Sequence, residues 1–293
     1  MTVQTNGVFE PGSTVGIIGG GQLGRMSAMA AAKLGYRVHI LNPAPTSPAI
    51  EVSASATIGS YDDPEVLEEF ASRCDVITFE FENISAEGLS LLAKHRPVRP
   101  AGEILRVSQD RILEKTRLAE AGIALVSWRA VSGPDDLKAL EEIGFPLILK
   151  TTRFGYDGKG QFRVESAKAL SALTDLPYPL VAEKMIDFQR ELSVMVVRGI
   201  DGTVRCFDTV ENRHRDGILD VTLAPARIMP DVAEEAQAIA MKIAMELDIA
   251  GIMGVELFSG AYGHLLVSEI APRHTNSGHW PMDAGWRAQF ERP

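Results

Sequence analysis

The chain has 293 residues, of which 45% are hydrophobic and 23% charged, and its formal net charge is −10. This composition excludes a disordered or collagen-like chain, and the length predicts about two domains. The acidic balance, with no block of Lys or Arg, argues against nucleic-acid and membrane partners. Cys74 and Cys206 fit no metal-ligand spacing, and we expect two buried or half-buried thiols. The first residues lack a signal pattern and no apolar run reaches the roughly 18 residues of a membrane span, so we expect a cytoplasmic protein.

The first part of the chain alternates strands and helices. Strands are predicted at residues 14–18, 36–41 and 75–79, with helices at 22–34 and from Asp63-Pro64 onward between them. This βαβαβ order predicts an α/β domain with a parallel, doubly wound sheet.

The second part of the chain changes pattern. Helices are predicted at residues 110–121 and 134–143, with strands at 126–131, 146–150 and 180–183. Antiparallel strands then follow at 191–197 and 204–210 around a glycine-rich turn, and a hairpin is predicted from 254–258 and 264–270. The clearest helix covers residues 231–247, and Asp231 is its predicted cap.

A glycine-rich turn at residues 19–24, GGGQLG, satisfies G-x-G-x-x-G between a strand and a helix. Glycines allow a backbone to approach a phosphate at a helix N-terminus. A dinucleotide site also needs an acidic residue after the second strand, where Asn42-Pro43 stands instead. The turn therefore favours phosphate binding of some kind over a nicotinamide cofactor, and the alternative is a purely structural turn.

A second glycine loop follows Lys150, which ends an apolar strand. Residues 153–161 read RFGYDGKGQ and combine three glycines with two cations. This composition suits a flap over a polyphosphate, because such a ligand needs both cations and backbone donors. A hairpin turn with exposed charges fits the spacing equally well.

Two acidic residues, Glu256 and Glu269, lie on the two strands of the last predicted hairpin, and counting from its turn places them roughly opposite each other. Facing carboxylates need a shared proton or a bridging cation, and oxygen ligands suit Mg²⁺. An outward side chain paired with Arg213 or Arg227 is the alternative. The loop after Glu269 concentrates polar donors at residues 273–280, which favours substrate binding.

Seven short motifs stand in order along nearly the whole chain: GGGQLGRM at 19–26, TFEFENI at 78–84, QDR and EK within 109–115, GYDGKGQ at 155–161, HRDGIL at 214–219, EIAPR at 269–273 and NSGHW at 276–280. Together they closely resemble the 5-(carboxyamino)imidazole ribonucleotide synthase family of ATP-grasp ligases in purine biosynthesis. The resemblance implies a pre-ATP-grasp domain at residues 1–109, then an α+β ATP-grasp fold with a small subdomain at 110–186 and a large one at 187–293.

The resemblance also implies roles for individual residues. The metal, Mg²⁺ or Mn²⁺, would be bound by Glu256 and Glu269. ATP would be bound by Arg111, Lys150, Gly155, Tyr156, Asp157, Gly158, Lys159, Gly160, Gln161, Glu183, Lys184, Met185, Ile186, Glu191, His214, Ser268 and Glu269. The other substrates would contact Gly21, Gln22, Leu23, Glu82, Arg273, Asn276 and Ser277. The expected catalytic residues are Tyr156, Asp157, Lys159, Arg273, Asn276 and Ser277.

The implied reaction has two stages. Bicarbonate takes the γ-phosphoryl group of ATP and forms carboxyphosphate, and the amine of aminoimidazole ribonucleotide then takes the carboxyl group. ADP and phosphate are released. A homodimer is expected from the resemblance.

Three features depart from the family pattern. Thr275 stands where the family has a histidine, and His274 precedes it, so the bicarbonate contact at this position is in question. Ser268 replaces an asparagine. The family also continues beyond the position of Pro293 into a segment whose basic residues hold the ribonucleotide phosphate, so we expect lower substrate affinity.

Other functions stay open at the level of sequence. Another ATP-grasp carboxylase or transformylase would keep the ATP residues and change the acceptor. The departures at Thr275 and at the end of the chain are compatible with a non-catalytic or impaired ATP-binding remnant. A dehydrogenase rests on the glycine fingerprint alone.

Overall fold

The computed structural model describes residues 7–153, 155, 160–215, 217–284 and 288–291. Within these residues, the strands form three sheets that follow one another along the chain. The division agrees with the expected order of a parallel sheet followed by antiparallel ones, while the domain boundaries at residues 109 and 186 stay predictions.

The first sheet is parallel, in the order β3-β2-β1-β4, which confirms the predicted α/β domain. Its short edge strand β3, which has only four residues, was not predicted. The elements are β1 (Thr14–Ile18), α1 (Gln22–Lys33), β2 (Arg37–Asn42), β3 (Ser55–Ile58), α2 (Pro64–Ser72), β4 (Val76–Phe79), α3 (Ala86–His95) and α4 (Gly102–Ser108). As predicted, α2 begins at Pro64, and the Asp63 side chain caps it by accepting the Glu65 N–H.

The second sheet is antiparallel, in the order β5-β8-β6-β7. Its elements are α5 (Arg111–Glu120), β5 (Trp128–Val131), β6 (Leu147–Thr151), β7 (Gln161–Val164), α6 (Ala167–Ser171) and β8 (Leu180–Lys184). The α-helix predicted at residues 134–143 is instead a 3₁₀ helix, Pro134–Glu142, which has only Leu140 fully buried. A narrow buried stripe suits the tighter helix, in which side chains three apart lie above one another.

The third sheet is also antiparallel, with the order β12-β11-β9-β13-β14 and with β10 added to β9. Its elements are β9 (Arg190–Arg198), β10 (Val204–Cys206), β11 (Val210–Arg215), β12 (Ile218–Leu223), α7 (Pro230–Glu246), β13 (Gly251–Ser259), β14 (Leu265–Ala271) and the short α8 (Pro281–Ala284). The single strand predicted at 204–210 is therefore two strands. Asp231 lies inside α7, because Pro230 opens the helix after Met229.

The third sheet and α7 form the largest core. Ala236, Ala240 and Ile243 of α7 pack on Val194 and Val255 of the sheet. This face has the helical spacing recognised in the sequence. Among the described residues, every helix is too short or too polar to span a membrane.

Candidate active site between the sheets

Arg111 stands at the start of α5, beside the third sheet. Asp110 caps this helix by accepting two backbone N–H bonds, which fixes the first turn. The Arg111 guanidinium lies 3.2 Å from the Glu269 carboxylate on β14 and is largely buried. It also donates a long hydrogen bond of 3.5 Å to the Gly155 carbonyl. Arg111 therefore connects the last hairpin to the start of the second glycine loop.

Two carboxylates, Glu256 on β13 and Glu269 on β14, are direct cross-strand partners. The prediction that they lie opposite each other is confirmed. Burial, followed by repulsion from Glu269, raises the pKa of Glu256 to about 8. Like charges facing each other on a sheet are destabilising unless a proton or a cation lies between them.

This carboxylate pair fits a hard divalent cation. Mg²⁺ prefers oxygen ligands and is commonly bound by one or two carboxylates together with phosphate and water oxygens. Among the described residues, no group of three or more His, Cys, Asp or Glu side chains could hold a metal. An ion at Glu256 and Glu269 would therefore complete its coordination with substrate or solvent oxygens. The metal assignment stays a prediction.

Lys150 points into the protein rather than to solvent. Its ammonium lies 2.7 Å from one oxygen of Glu183 on the neighbouring strand β8, and Lys115 of α5 lies 3.0 Å from the other oxygen. Burial would raise the pKa of Glu183, but Lys150 and then Lys115 outweigh it and hold the pKa below its ordinary value. These three residues form a charge cluster with one more positive than negative charge.

The predicted flap lies largely outside the described residues, because Tyr156, Asp157, Gly158 and Lys159 are not among them. Gly155 precedes this stretch. Gly160, at its other end, has a left-handed φ of +70°, and a Cβ there would lie 2.5 Å from the Thr151 hydroxyl. Glycine therefore fits the base of the loop, where Gln161 starts β7.

Several of the predicted ATP-binding residues lie near the connection between the second and third sheets. Glu183 and Lys184 end β8, and Met185 and Ile186 follow at half-buried positions. The Lys184 ammonium donates to the Phe145 carbonyl at 2.7 Å. On the third sheet, the Glu191 carboxylate and the His214 ring form a close pair.

The predicted substrate side contains an ion pair between distant parts of the chain. Arg273 Nε lies 3.0 Å from Glu82, which follows β4 of the first sheet. Arg273 also donates to the His274 carbonyl at 2.8 Å, so the planar guanidinium is held at two edges. Burial raises the pKa of Glu82, and the nearby Arg273 opposes this shift.

The loop after Arg273 directs several polar side chains inward. His274 is buried and stacks on Phe290, and burial lowers its pKa to about 3. The Thr275 hydroxyl bonds to the Ser277 hydroxyl at 2.8 Å. Ser277, which the resemblance places against substrate, therefore faces Thr275 in this structure, whereas Asn276 is exposed. His274 packs on Phe290 rather than beside Ser277, so it does not supply the imidazole that the resemblance implies at position 275.

The first glycine turn already binds a carboxylate. The Gly21 N–H donates to Glu80 Oε1 at 2.7 Å, and a Cβ on Gly19 would lie 2.6 Å from the same oxygen. A phosphate at this N–H would have to displace or share the Glu80 carboxylate, and like charges oppose that. The neighbouring Gln22 is exposed and Leu23 is half-buried.

Three residues near the site were missed in the sequence. Glu80 precedes Glu82 by two positions, the period that places side chains on one side of an extended chain. Lys115 follows Arg111 by four positions, which places both on one face of α5. Gln289, which bonds to Thr275, had no sequence signal of its own.

Comparisons with known proteins identify relatives along nearly the whole chain. Residues 13–109 match the ribonucleotide synthetase preATP-grasp domain family, and residues 116–290 match the ATP-grasp domain family. The chain is 45% identical to the N5-carboxyaminoimidazole ribonucleotide synthase of Brucella melitensis, over 97% of this chain and 80% of the relative.

Two solved structures have the same fold over nearly the whole chain. The N5-carboxyaminoimidazole synthetase of Staphylococcus aureus, complexed with ADP, is 39% identical with a TM-score of 0.91 and covers 97% of this chain and 76% of that one. The Aspergillus clavatus synthase, in complex with ADP and 5-aminoimidazole ribonucleotide, is 34% identical with a TM-score of 0.87 and covers 96% and 75%. These likenesses contradict the dehydrogenase alternative, and the chain belongs to the N5-carboxyaminoimidazole ribonucleotide synthase family of ATP-grasp ligases.

Proposed function

We propose that the chain carboxylates 5-aminoimidazole ribonucleotide with ATP and bicarbonate, and that it releases N5-carboxyaminoimidazole ribonucleotide, ADP and phosphate. The observation that carries the proposal is the facing pair of Glu256 and Glu269 beside the cations Arg111 and Lys150. This arrangement combines carboxylates for a metal with positive charge for a polyphosphate, in a chain that belongs to this synthase family.

The phosphate side of the proposed mechanism depends on charge neutralisation and positioning. Arg111 and Lys150 would bind the phosphates, and their positions are fixed by the cap on α5 and by the end of β6. Phosphoryl transfer gains most of its acceleration from such prearranged charges. Mg²⁺ held by Glu256 and Glu269 would neutralise further phosphate charge when bound.

The acceptor side of the proposed mechanism depends on Arg273. Its guanidinium is oriented by Glu82 and by the His274 carbonyl, and a planar fork suits bicarbonate or carboxyphosphate oxygens. The exposed Asn276 would add a donor beside it. A closed flap at residues 155–161 would exclude water, which would otherwise hydrolyse carboxyphosphate before the amine attacks.

The test is ADP release measured with each acceptor in turn. We expect the full rate only when bicarbonate and 5-aminoimidazole ribonucleotide are both present. A full rate with formate, or with a different amine, would assign the chain to another carboxylase or transformylase. Tight ATP binding without turnover under every condition would favour the non-catalytic remnant, for which Thr275 is the motivating residue.

The proposal carries two further expectations from the family. A homodimer is expected, and sedimentation velocity of the purified chain measures it. A cytoplasmic location is expected, and fractionation of the source cells measures that.

A further inference from the structure

Lys115 is a buried cation that the proposed mechanism does not use. Its side chain has no exposed surface, although lysine is almost never fully buried unless its charge is paired. Its ammonium lies 3.0 Å from Glu183 Oε1, so the two side chains form a buried ion pair. Because it does not reach the surface, Lys115 cannot touch a bound nucleotide itself.

The second contact of Lys115 is with the backbone beside Glu269. The ammonium lies 3.4 Å from the Ser268 carbonyl. Glu256 pairs with Glu269, and the following Leu257 pairs with Val267, so Ser268 is the extra residue of a β-bulge. A bulge leaves its extra residue out of the ladder, and here the Ser268 carbonyl accepts a bond from Lys115 instead.

Neighbouring residues of α5 hold the same stretch of β14. Arg111 pairs with Glu269, and the Ile270 N–H donates to the Glu114 carboxylate at 3.4 Å. Residues 111, 114 and 115 share one helix face, because they are three and four positions apart. Three consecutive residues of β14 are thus each contacted by this face of α5.

The charge of Lys115 affects Lys150 through Glu183. Without Lys115, Lys150 and Glu183 would form a neutral pair at 2.7 Å, and the charge of Lys150 would be balanced inside the protein. With Lys115 present, Glu183 is shared between two cations and the cluster keeps a net positive charge. That charge is available to an anionic ligand at Lys150.

We propose that Lys115 is a positioning residue of the nucleotide site: it balances Glu183, so that Lys150 stays free to bind phosphate, and it holds the bulge beside Glu269. The proposal rests on the proposed ATP-dependent function. It assigns Lys115 an effect on nucleotide affinity that depends on the charge of Glu183.

The test is a double-mutant cycle of Lys115→Met, Glu183→Gln and both together. The dissociation constant of MgADP is measured without acceptor, and KM is measured for ATP and for 5-aminoimidazole ribonucleotide. We expect Lys115→Met to weaken nucleotide binding about tenfold or more, with a much smaller change in the ribonucleotide KM. In the Glu183→Gln background, Lys115→Met should weaken nucleotide binding by less than about threefold, because no carboxylate is left to neutralise Lys150.

The control is Lys242→Met on α7, which also removes a lysine bonded to a backbone carbonyl, that of Gly122. It should leave nucleotide affinity unchanged. Equal losses from Lys115→Met in both backgrounds, or no loss in either, would overturn the proposal. If Lys115→Met alone does not fold, the MgADP affinity of Glu183→Gln is compared with that of the double variant. A tenfold loss of affinity between these two variants would contradict the charge argument.

The nucleotide measurement separates this inference from the proposed function. A wild-type chain that binds MgADP but does not carboxylate the ribonucleotide would contradict the function and leave the Lys115 cycle decisive. If the wild-type chain carboxylates the ribonucleotide but the effects of Lys115→Met and Glu183→Gln on nucleotide affinity simply add, only the role proposed for Lys115 is contradicted.

Discussion

At the scale of single residues, the site is an arrangement of opposed charges held by backbone geometry. Glu256 and Glu269 face each other across a hairpin, while Arg111 approaches one of them from a capped helix. Such an arrangement is unfavourable without its ligands, since the two facing carboxylates repel each other when both are ionised. Sites of this kind exchange stability for function.

The first prediction follows from that repulsion. Glu256→Gln and Glu269→Gln should each lower the rate of ADP release at least about a hundredfold, because the metal loses a carboxylate ligand. Without ligands, Glu256→Gln should melt at the same temperature as the wild type or higher, because burial and the facing Glu269 already disfavour the ionised form of Glu256. Glu269→Gln should melt lower, because it leaves the Arg111 guanidinium without its carboxylate partner. Steady-state kinetics and thermal melts measure the two effects.

Glu246→Gln, an exposed change near the end of α7, is the control and should alter neither quantity. Wild-type activity in both hairpin variants would remove the metal assignment.

The sequence predicted these residues because their patterns are local. Glu256 and Glu269 are related by counting from one turn, and Asp110 is followed by a helix that presents Arg111. The burial of His274, and the bond between Thr275 and Ser277, could not be predicted in this way. They depend on Gln289 and Phe290, which pack against the loop from a separate segment.

At the scale of elements, a short 3₁₀ helix holds the polar loop in place. Gln289, in the segment Gln289–Glu291, is fully buried. Its side chain accepts the Thr275 N–H at 3.1 Å and donates to the Thr275 carbonyl at 2.8 Å. A Cβ on Gly278 would lie 2.4 Å from the Gln289 oxygen, so a glycine at that position makes room for the amide.

The second prediction concerns this anchor. Gln289→Ala should destabilise the fold by roughly 2 kcal/mol, because it leaves the buried Thr275 N–H unpaired and removes one of the bonds to the Thr275 carbonyl. It should also raise KM for 5-aminoimidazole ribonucleotide more than KM for ATP, because the loop carries Arg273 and Asn276. Thermal melts and substrate titrations measure both effects.

Gln237→Ala is the control for both measurements. It also removes a glutamine side chain, but Gln237 makes only one longer side-chain hydrogen bond, 3.4 Å to the Phe207 carbonyl. An unchanged ribonucleotide KM in a folded Gln289→Ala variant would show that the loop does not need this anchor.

At the scale of the whole molecule, buried neutral histidines in two separate regions contribute to the response to acid. His39 contacts the hydroxyls of Ser55 and Thr57, and burial, aided by Arg73, lowers its pKa to about 4. His274, near the other end of the chain, has a pKa of about 3 because of burial. Each folded pKa is below the value of 6.5 expected for an unfolded histidine.

The third prediction follows from this difference. Between pH 6.5 and about 4 the two histidines bind protons in the unfolded chain but not in the folded one, so their contribution to stability should fall as the pH falls. The raised pKa of Glu256 acts in the opposite direction over the same range, so the histidine contribution is isolated by comparing variants. The two histidines together should contribute a loss of roughly 1–2 kcal/mol per pH unit. His39→Gln should flatten this slope in urea unfolding measured from pH 4.5 to 7.5.

His95→Gln, at the exposed end of α3, should keep the wild-type slope. A His39→Gln variant with an unchanged slope would mean that His39 does not carry the acid sensitivity.

The bulge at Ser268 means that the facing of Glu256 and Glu269 and the attachment of α5 to β14 can be changed separately, by altering the strand by one residue. Deleting Ser268 would make Val267 and Glu269 adjacent, opposite Leu257 and Glu256, so the ladder could close without losing the facing acids. The same deletion would remove the carbonyl that Lys115 reaches. A one-residue shortening of this strand is thus a way to loosen the helix from the hairpin while sparing the pair of carboxylates.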